Sequence, residues 1–184
     1  MKKLTLTLAL ASSLFLATAA QADMNVMVGG QSMLPAKDIV DNAVNSADHT
    51  TLVAAVKAAG LVETLKSKGP FTVFAPTNAA FDKLPDGTVA TLLKPENKAS
   101  LTKILTYHVI AGKYDFDALS KLIKKGHGKT TLQTVSGGKL SFSKNGMHNI
   151  MVWDEKGGMA NISTYDVYQS NGVIEVVDTV LMPK

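Results

Sequence analysis

The hydrophobic pattern of this 184-residue chain changes its period once, near Lys129. Before that residue, apolar side chains recur every three or four positions, which is typical of helices that bury one face. After it, apolar and polar side chains alternate, which is typical of strands that bury one face. Helices and strands that are segregated along the chain favour an α+β domain over alternating β-α-β units. We find no internal repeat or interdomain linker, and therefore expect one domain.

The first half contains one particularly clear helix signal, at residues 115–125. Acidic side chains stand at its start and Lys124 and Lys125 at its end, so the charges complement the helix dipole at both ends. Gly126 follows directly, as it often does after a helix. The other predicted elements of this half are helices at 39–44, 50–59, 61–67 and 88–106 (interrupted at Pro95), a strand at 71–74 with a helical turn through Phe81, and an extended segment at 107–110.

The second half is predicted to consist of strands joined by glycine-containing turns. Gly137-Gly138 lies between two apolar-alternating runs, which is a hairpin signal. The further strands are predicted at 149–154, 160–164 and 173–182.

The N-terminus has the features of a secretory signal peptide at residues 1–22. Lys2 and Lys3 precede an apolar stretch at 4–17, and Ala20-Gln21-Ala22 matches the small-x-small cleavage pattern. This stretch is shorter than the ~20 residues that a spanning helix needs, so a retained membrane anchor is the less favoured alternative. We expect an exported protein, periplasmic or secreted, with no transmembrane anchor after cleavage. A flexible lead-in at 23–35 would then precede a single domain at 36–184.

Composition restricts the chemistry of the domain. The chain has no cysteine, which excludes disulfides, thiolate metal sites and a catalytic thiol. All of its basic residues are lysines, and two of them belong to the predicted leader, so the net charge of +4 overstates the basicity of the exported protein. We therefore expect no nucleic-acid partner. A weak contact with a polyanion is left open by one basic cluster, Lys121, Lys124, Lys125 and Lys129.

Methionines near the second hairpin raise the question of copper. Thioether and imidazole groups can hold Cu(I), and four such residues are close in sequence: Met147, His148, Met151 and Met159. Strand geometry weakens this hypothesis, because His148 would point away from the face that carries Met147 and Met151. Met24, Met27 and Met33 could add ligands. We favour packing roles for the methionines and predict no cofactor or metal.

Three ordered segments of the chain resemble the fasciclin domain family. The first is Phe71-Thr72-Val73-Phe74-Ala75-Pro76-Thr77-Asn78-Ala79-Ala80-Phe81, and the second is Tyr107-His108 followed by Val109. The third is Asn171-Gly172-Val173-Ile174-Glu175-Val176-Val177-Asp178 with Val180-Leu181-Met182-Pro183. Together they span nearly all of residues 36–184.

The resemblance implies a wedge-like β-sandwich, built mainly from the C-terminal half, with helices from the N-terminal half packed against it. It also implies a non-enzymatic adhesion or interaction module with a protein or polysaccharide partner on a cell surface or envelope, of unknown oligomeric state. Because some relatives bind carotenoids, a carrier of an apolar small molecule such as a carotenoid or a lipid is the alternative. An enzyme is a third and weaker hypothesis, and no catalytic residue is predicted.

The resemblance also assigns candidate site residues. An Asp-Ile pair and the Tyr-His region are implicated in receptor contact in animal relatives, and the matching positions here are Asp166-Val167 and Tyr107-His108. Structural roles follow from side-chain chemistry: Thr77 and Asn78 as helix caps, Phe81 in the core, Asn171 and Gly172 in a tight turn with positive φ, and Asp178 tying a strand to a loop. Glu175 stands where many relatives carry histidine.

Overall fold

The computed structural model describes residues 25–184. The predicted leader and its cleavage site, together with residues 23 and 24, lie outside the described residues. Among the residues that are described, no helix is both long enough and apolar enough to cross a membrane.

Seven α-helices and two 3₁₀ turns are found in residues 25–184, all before the hairpins of the second half. The 3₁₀ turns are Ala47–His49 and Pro95–Asn97. The helices are α1 (Ile39–Ala43), α2 (Thr50–Ala59), α3 (Val62–Lys66), α4 (Asn78–Phe81), α5 (Thr88–Leu92), α6 (Lys98–Tyr107) and α7 (Phe116–Lys125).

In the part of the chain that the structure describes, nine strands form a small hairpin and one seven-stranded mixed sheet. The hairpin pairs β1 (Met27–Val28) with β2 (Gln31–Ser32). The sheet strands are β3 (Phe71–Pro76), β4 (Val109–Ala111), β5 (Lys129–Gln133), β6 (Lys139–Asn145), β7 (Asn149–Trp153), β8 (Met159–Gln169) and β9 (Gly172–Val177). Their order is β4-β3-β9-β8-β7-β6-β5, and only β3 and β9 pair in parallel.

Local sequence signals set the ends of the helices. Helix α2 ends at Gly60, whose φ of 73° lies in the left-handed region that favours glycine. Helix α7 begins after Asp115, whose carboxylate accepts a hydrogen bond from the backbone N–H of Ala118 at 2.9 Å. Both ends lie where the sequence predicts them.

The sheet folds over on itself into a sandwich. Phe74 on β3 and Phe142 on β6 are four strands apart in the sheet order, yet their ring centroids are 5.4 Å apart. In a flat sheet, with strands about 4.8 Å apart, they would be separated by roughly 19 Å. The predicted α+β class, with helices packed on a β-sandwich, is therefore confirmed.

The fold has two hydrophobic cores, one on each side of the central strands. The first lies between the helices α1–α6 and the sheet, and includes Leu52, Phe81 and Ile174. The second lies between the two halves of the folded sheet and α7, and includes Phe142 and Leu119. Strand β9 is buried along its whole length because each of its faces contacts one of these cores.

The structure differs from the sequence predictions in three places. The predicted flexible lead-in contains the β1–β2 hairpin, and Met33 is buried in the first core because an apolar side chain gains more there than in water. Tyr107 ends a helix instead of beginning an extended segment. Strand β8 runs to Gln169, five residues beyond its predicted end, whereas β9 ends at Val177, well before residue 182.

Replacing Tyr107 by phenylalanine tests the link between α6 and the sandwich. The buried Tyr107 hydroxyl donates to the carbonyl of Lys139 at 2.8 Å and accepts from the N–H of Glu155 at 3.0 Å. Tyr107→Phe leaves both backbone groups without this partner, and we expect a loss of about 1–3 kcal/mol in the free energy of unfolding, measured by urea denaturation. Tyr114→Phe is the control, because no described residue bonds the Tyr114 hydroxyl; equal stabilities of the two variants would contradict the assignment.

Candidate interaction site

Strand β8 contains two irregularities opposite β9. Between Ile162 and Val167 it advances five residues while its partner strand advances three, from Val177 to Ile174. Two extra residues are therefore accommodated as bulges, which bend a strand and re-aim its side chains. The second bulge contains Asp166.

Asp166 has a left-handed backbone conformation with a φ of 58°. Aspartate tolerates this region better than most residues because its short side chain can bond locally. Its carboxylate accepts a hydrogen bond from the N–H of Phe116, at the start of α7, at 2.7 Å. The bulge is thus fastened to α7, and the half-buried carboxylate of Asp166 lies at the junction of the two elements.

Behind Asp166 lies a fully buried acid, Glu175. Both of its carboxyl oxygens are 3.4 Å from the backbone nitrogen of Asp166, which donates to them weakly. Burial, followed by the nearby charge of Asp166, raises the pKa of Glu175 to about 9. Glu175 is therefore a neutral acid at pH 7, so the surface at the bulge does not carry its charge.

Three further side chains surround Asp166 to form what we call the β8 bulge surface: Asp115, Lys113 and Tyr168. The Tyr168 hydroxyl donates to the carboxylate of Asp115 at 3.4 Å, and the Lys113 Nζ lies 4.3 Å from the centre of the Tyr168 ring. Burial, together with the charges of Asp166 and Asp115, raises the pKa of Tyr168 to about 12. The surface thus combines an aromatic ring, 40% exposed, with two carboxylates and one ammonium group.

The remaining residues predicted to contact a partner are buried. Val167 follows Asp166 in the chain but points into the first core, and Tyr107 and His108 lie inside the domain at the end of α6. The Tyr107 hydroxyl forms hydrogen bonds with the backbone of β6 and of the β7–β8 turn, whereas the Asp166 carboxylate accepts one from the backbone of α7. The two predicted pairs therefore contact different elements of the domain. A role of these pairs in binding stays a prediction.

His108 is a buried residue whose two ring nitrogens link α6 to the C-terminal segment by hydrogen bonds. Its Nε2 accepts from the N–H of Leu181 at 3.0 Å, so the proton must be on Nδ1, which donates to the carbonyl of Ile104 at 2.9 Å. Burial lowers the pKa of His108 to about 4. The imidazole is therefore neutral at pH 7.

The first motif segment fastens the N-terminus of α2 to the end of β3. Thr77 accepts a hydrogen bond from the N–H of Ala80 at 3.2 Å, and Phe81 is buried in the first core. Asn78 reaches across to α2 instead, where its side-chain oxygen accepts from the N–H of Thr51 at 3.0 Å.

In the closing motif the backbones of β3 and β9 approach each other closely, and the expected left-handed turn is not formed. Neither Asn171 nor Gly172 has the expected positive φ. A Cβ on Gly172 would lie 2.1 Å from the carbonyl oxygen of Phe71, so glycine is required because β3 and β9 come so close there. The buried Asn171 side chain donates to the carbonyl of Leu65 at 2.7 Å and accepts from the N–H of Ile39 at 3.0 Å.

Asp178 connects the end of β9 to β8. Its two carboxylate oxygens accept from the backbone N–H and the side-chain amide of Asn161, at 2.8 and 3.0 Å. Partial burial raises the pKa of Asp178, but hydrogen bonds from Asn161 and Thr179 outweigh it and leave the pKa below its usual value.

The methionines of the copper hypothesis lie on and near the outer face of the sandwich. Met151 and Met159 are diagonal neighbours on one face of β7 and β8, whereas Met147 is 80% exposed in the β6–β7 turn beside His148. Met24 lies outside the described residues. Copper binding stays a hypothesis.

The chain is similar to known proteins over most of its length. The Fasciclin domain family model matches residues 47–183. The chain belongs to the fasciclin family. It is 46% identical over 149 residues to "Protein sll1483" of Synechocystis sp., covering 80% of this chain and 74% of that protein. It is 42% identical over 123 residues to "Cell surface glycolipoprotein MPB83" of Mycobacterium bovis, covering 67% of this chain and 48% of that protein.

A solved structure of a FAS1 domain pair, from the insect cell adhesion molecule Fasciclin I, has the same fold. Its TM-score is 0.71 at 18% sequence identity, over 79% of this fasciclin chain and 51% of the other chain. At this identity the likeness concerns the fold alone.

Sequence reasoning missed four residues of this site, namely Asp115 as a surface group, Lys113, Tyr168, and Glu175 as a buried neutral acid. The sequence did contain a signal for Glu175, which is the single acidic residue in an otherwise apolar strand. Acidic side chains are rarely fully buried unless they are paired, so such a residue indicates a site with specific local contacts. The sequence contains no comparable signal for Asp115, Lys113 and Tyr168, because their proximity to Asp166 depends on the β8 bulge.

The neutral state of Glu175 gives a pH-dependent stability. The unfolded chain loses this proton near pH 4.5 and the folded chain near pH 9, so stability falls as the pH rises between these values, by at most about 1.4 kcal/mol per pH unit. Glu175→Gln removes the effect. We expect the unfolding free energy of Glu175→Gln minus that of the wild type to be larger at pH 8 than at pH 5. The exposed Glu63→Gln is the control, and its difference from the wild type should not change in this way. A gain that does not change with pH would contradict a raised pKa.

His108 gives the opposite dependence on the acid side. Between pH 6.5 and 4 the unfolded chain binds a proton that the folded chain does not, so stability is full above pH 6.5 and falls as the pH drops towards 4. We expect this fall, followed by thermal unfolding, to be shallower in His108→Gln, which keeps one donor and one acceptor. The exposed His127→Gln should follow the wild-type profile. Identical profiles of wild type and His108→Gln would exclude His108 as the cause.

Proposed function

We propose that this fasciclin protein is a non-enzymatic, exported adhesion module that binds a protein or polysaccharide on a cell surface or envelope. Membership of the fasciclin family supports the proposal, and so does the similarity to a protein named as a cell-surface glycolipoprotein. The signal-peptide pattern at residues 1–22 supports export to the periplasm or beyond.

The observation that carries the proposal is the β8 bulge surface. It joins a partly exposed tyrosine to two carboxylates that accept hydrogen bonds from backbone N–H groups, so these carboxylates are held in place before a partner arrives. Fixed side chains lose little conformational freedom on binding, and tyrosine is among the residues that most often dominate interface energies. A partner with cationic or hydrogen-bond-donating groups fits this surface.

Nothing in the comparisons favours the carotenoid or lipid carrier over adhesion. The two reported relatives and the solved structure carry names of surface or adhesion proteins, or no functional name.

Two substitutions on the β8 bulge surface test the proposal. Asp166→Asn keeps the left-handed backbone and the Phe116 contact but removes the charge, and Tyr168→Ala removes the exposed ring. We expect the double variant to bind intact cells of the source organism roughly tenfold more weakly, or worse, as measured by saturation binding of the labelled protein.

Asp86→Asn is the matched control, because this exposed residue lies on the connection between α4 and α5, outside the β8 bulge surface. It should bind like the wild type. Unchanged binding of the double variant, with wild-type unfolding curves, would contradict the assignment to this surface. An absence of saturable binding by the wild type would contradict adhesion itself.

A further inference from the structure

Asparagine is followed by glycine at two places in this chain, Asn145-Gly146 and Asn171-Gly172. In such a pair the backbone nitrogen of the glycine can attack the side-chain carbonyl carbon of the asparagine. The attack is intramolecular, and the glycine has no Cβ to hinder it. The local sequence therefore makes both pairs reactive, and the structure decides which of them can react in the folded protein.

The pair Asn145-Gly146 lies in the exposed turn between β6 and β7. Asn145 is the last residue of β6, and Gly146 has a φ of 76°, in the left-handed region that favours glycine. No group within residues 25–184 forms a hydrogen bond with the Asn145 side chain or accepts one from the N–H of Gly146. Both reacting groups are thus accessible to water and are not held apart by other contacts.

The pair Asn171-Gly172, in contrast, is held in the interior. Asn171 is 7% exposed, and its side chain donates to the carbonyl of Leu65 at 2.7 Å and accepts from the N–H of Ile39 at 3.0 Å. Gly172 is paired in the sheet with both β3 and β8. The reaction at Asn171 requires that these contacts break first, so an opening of the domain limits its rate.

A third asparagine, Asn149, has the exposure of Asn145 without its reactive neighbour. It is exposed and pairs with Asn145 across the β6–β7 hairpin. The next residue is Ile150, whose branched side chain crowds its own backbone nitrogen, and whose N–H donates to the Tyr165 hydroxyl at 2.7 Å. Comparison of Asn145 with Asn149 therefore separates the effect of the following residue from the effect of exposure.

We propose that Asn145 is a site of spontaneous deamidation in the folded protein. The Gly146 nitrogen forms a bond to Cγ of Asn145, and the bond from Cγ to Nδ2 breaks. The side-chain nitrogen takes up the proton that the Gly146 nitrogen loses and leaves as ammonia. Water then opens the cyclic succinimide at either of its carbonyl groups, which gives aspartate or isoaspartate. Water is the only co-reactant, and no oxidant or reductant is needed.

The reaction changes both the charge and the backbone of the turn. Either product carries a carboxylate on the residue after Lys144, whose Nζ lies 5.2 Å from the centre of the Phe116 ring. Isoaspartate also routes the main chain through its side chain, which lengthens the connection between β6 and β7. The turn shares no residue with the β8 bulge surface, so the proposal does not rest on adhesion.

Peptide mapping by mass spectrometry tests the proposal on the purified, folded protein incubated at neutral pH. We expect aspartate and isoaspartate to form from Asn145 at least about tenfold faster than from Asn149 or Asn171, because only Asn145 reacts without a prior opening of the structure. A synthetic peptide of residues 142–148 shows how long the reaction takes in an unfolded chain. A smaller difference between the three asparagines would overturn the proposal, and so would an unmodified Asn145 when the peptide is fully converted.

The same measurement in urea is the control for the role of the fold. In the unfolded protein Asn145 and Asn171 are both followed by an unprotected glycine, so we expect them to react at similar rates. If Asn171 stayed unreactive in urea, its protection would not come from the folded structure, and the structural basis of the proposal would be wrong.

Two exchanges on the β6–β7 hairpin assign the products to this turn. Asn145→Gln lengthens the side chain, which disfavours closure of the ring, and should abolish the acidic species that ion-exchange chromatography resolves after incubation. Asn149→Gln is the matched control and should form these species like the wild type. Both positions are exposed, so neither exchange puts folding at risk. Acidic species that form at the wild-type rate in Asn145→Gln would overturn the assignment to Asn145.

Discussion

The parallel pairing of β3 with β9 is the constraint on which the rest of this structure depends. It joins Phe71 to Gly172 across a hundred residues of chain, and every helix from α4 to α7 and every strand from β4 to β8 lies within that connection. Parallel strands cannot be joined by a tight turn, so a long crossover is obligatory. The crossover here supplies both the second core and the β8 bulge surface.

This pairing brings together backbone polar groups that must be satisfied in the interior. Asn171 satisfies several of these groups at the start of β9. Its side-chain amide forms hydrogen bonds with the backbone at the start of α1 and the end of α3, and its carbonyl accepts one from the N–H of Phe71. Asn42 and Gln169 bond to each other nearby in the same buried layer. With no cysteine in the chain, buried amides of this kind and the two cores hold together segments distant in sequence.

The sequence predicts features that depend on neighbours in the chain and fails for those that depend on distant contacts. The ends of α2 and α7 follow from Gly60 and Asp115, and the change from helices to hairpins follows from hydrophobic period alone. The length of β8 does not, because its continuation past Thr164 depends on two bulges that only the pairing with β9 reveals. The site divides in the same way: the resemblance singles out Asp166, whereas Tyr168 and Asp115 join it only once α7 packs beside the bulge.

Strand β9 also separates the helical layer from the β8 bulge surface. Successive side chains of a strand point to opposite faces, so Ile174 packs in the first core while Glu175 lies behind the β8 bulge. A partner on the bulge and the helical layer would therefore lie on opposite sides of one buried strand. Because neighbouring strands and both cores fix the position of β9, Glu175 and the bulge in front of it are held in place from the interior of the domain.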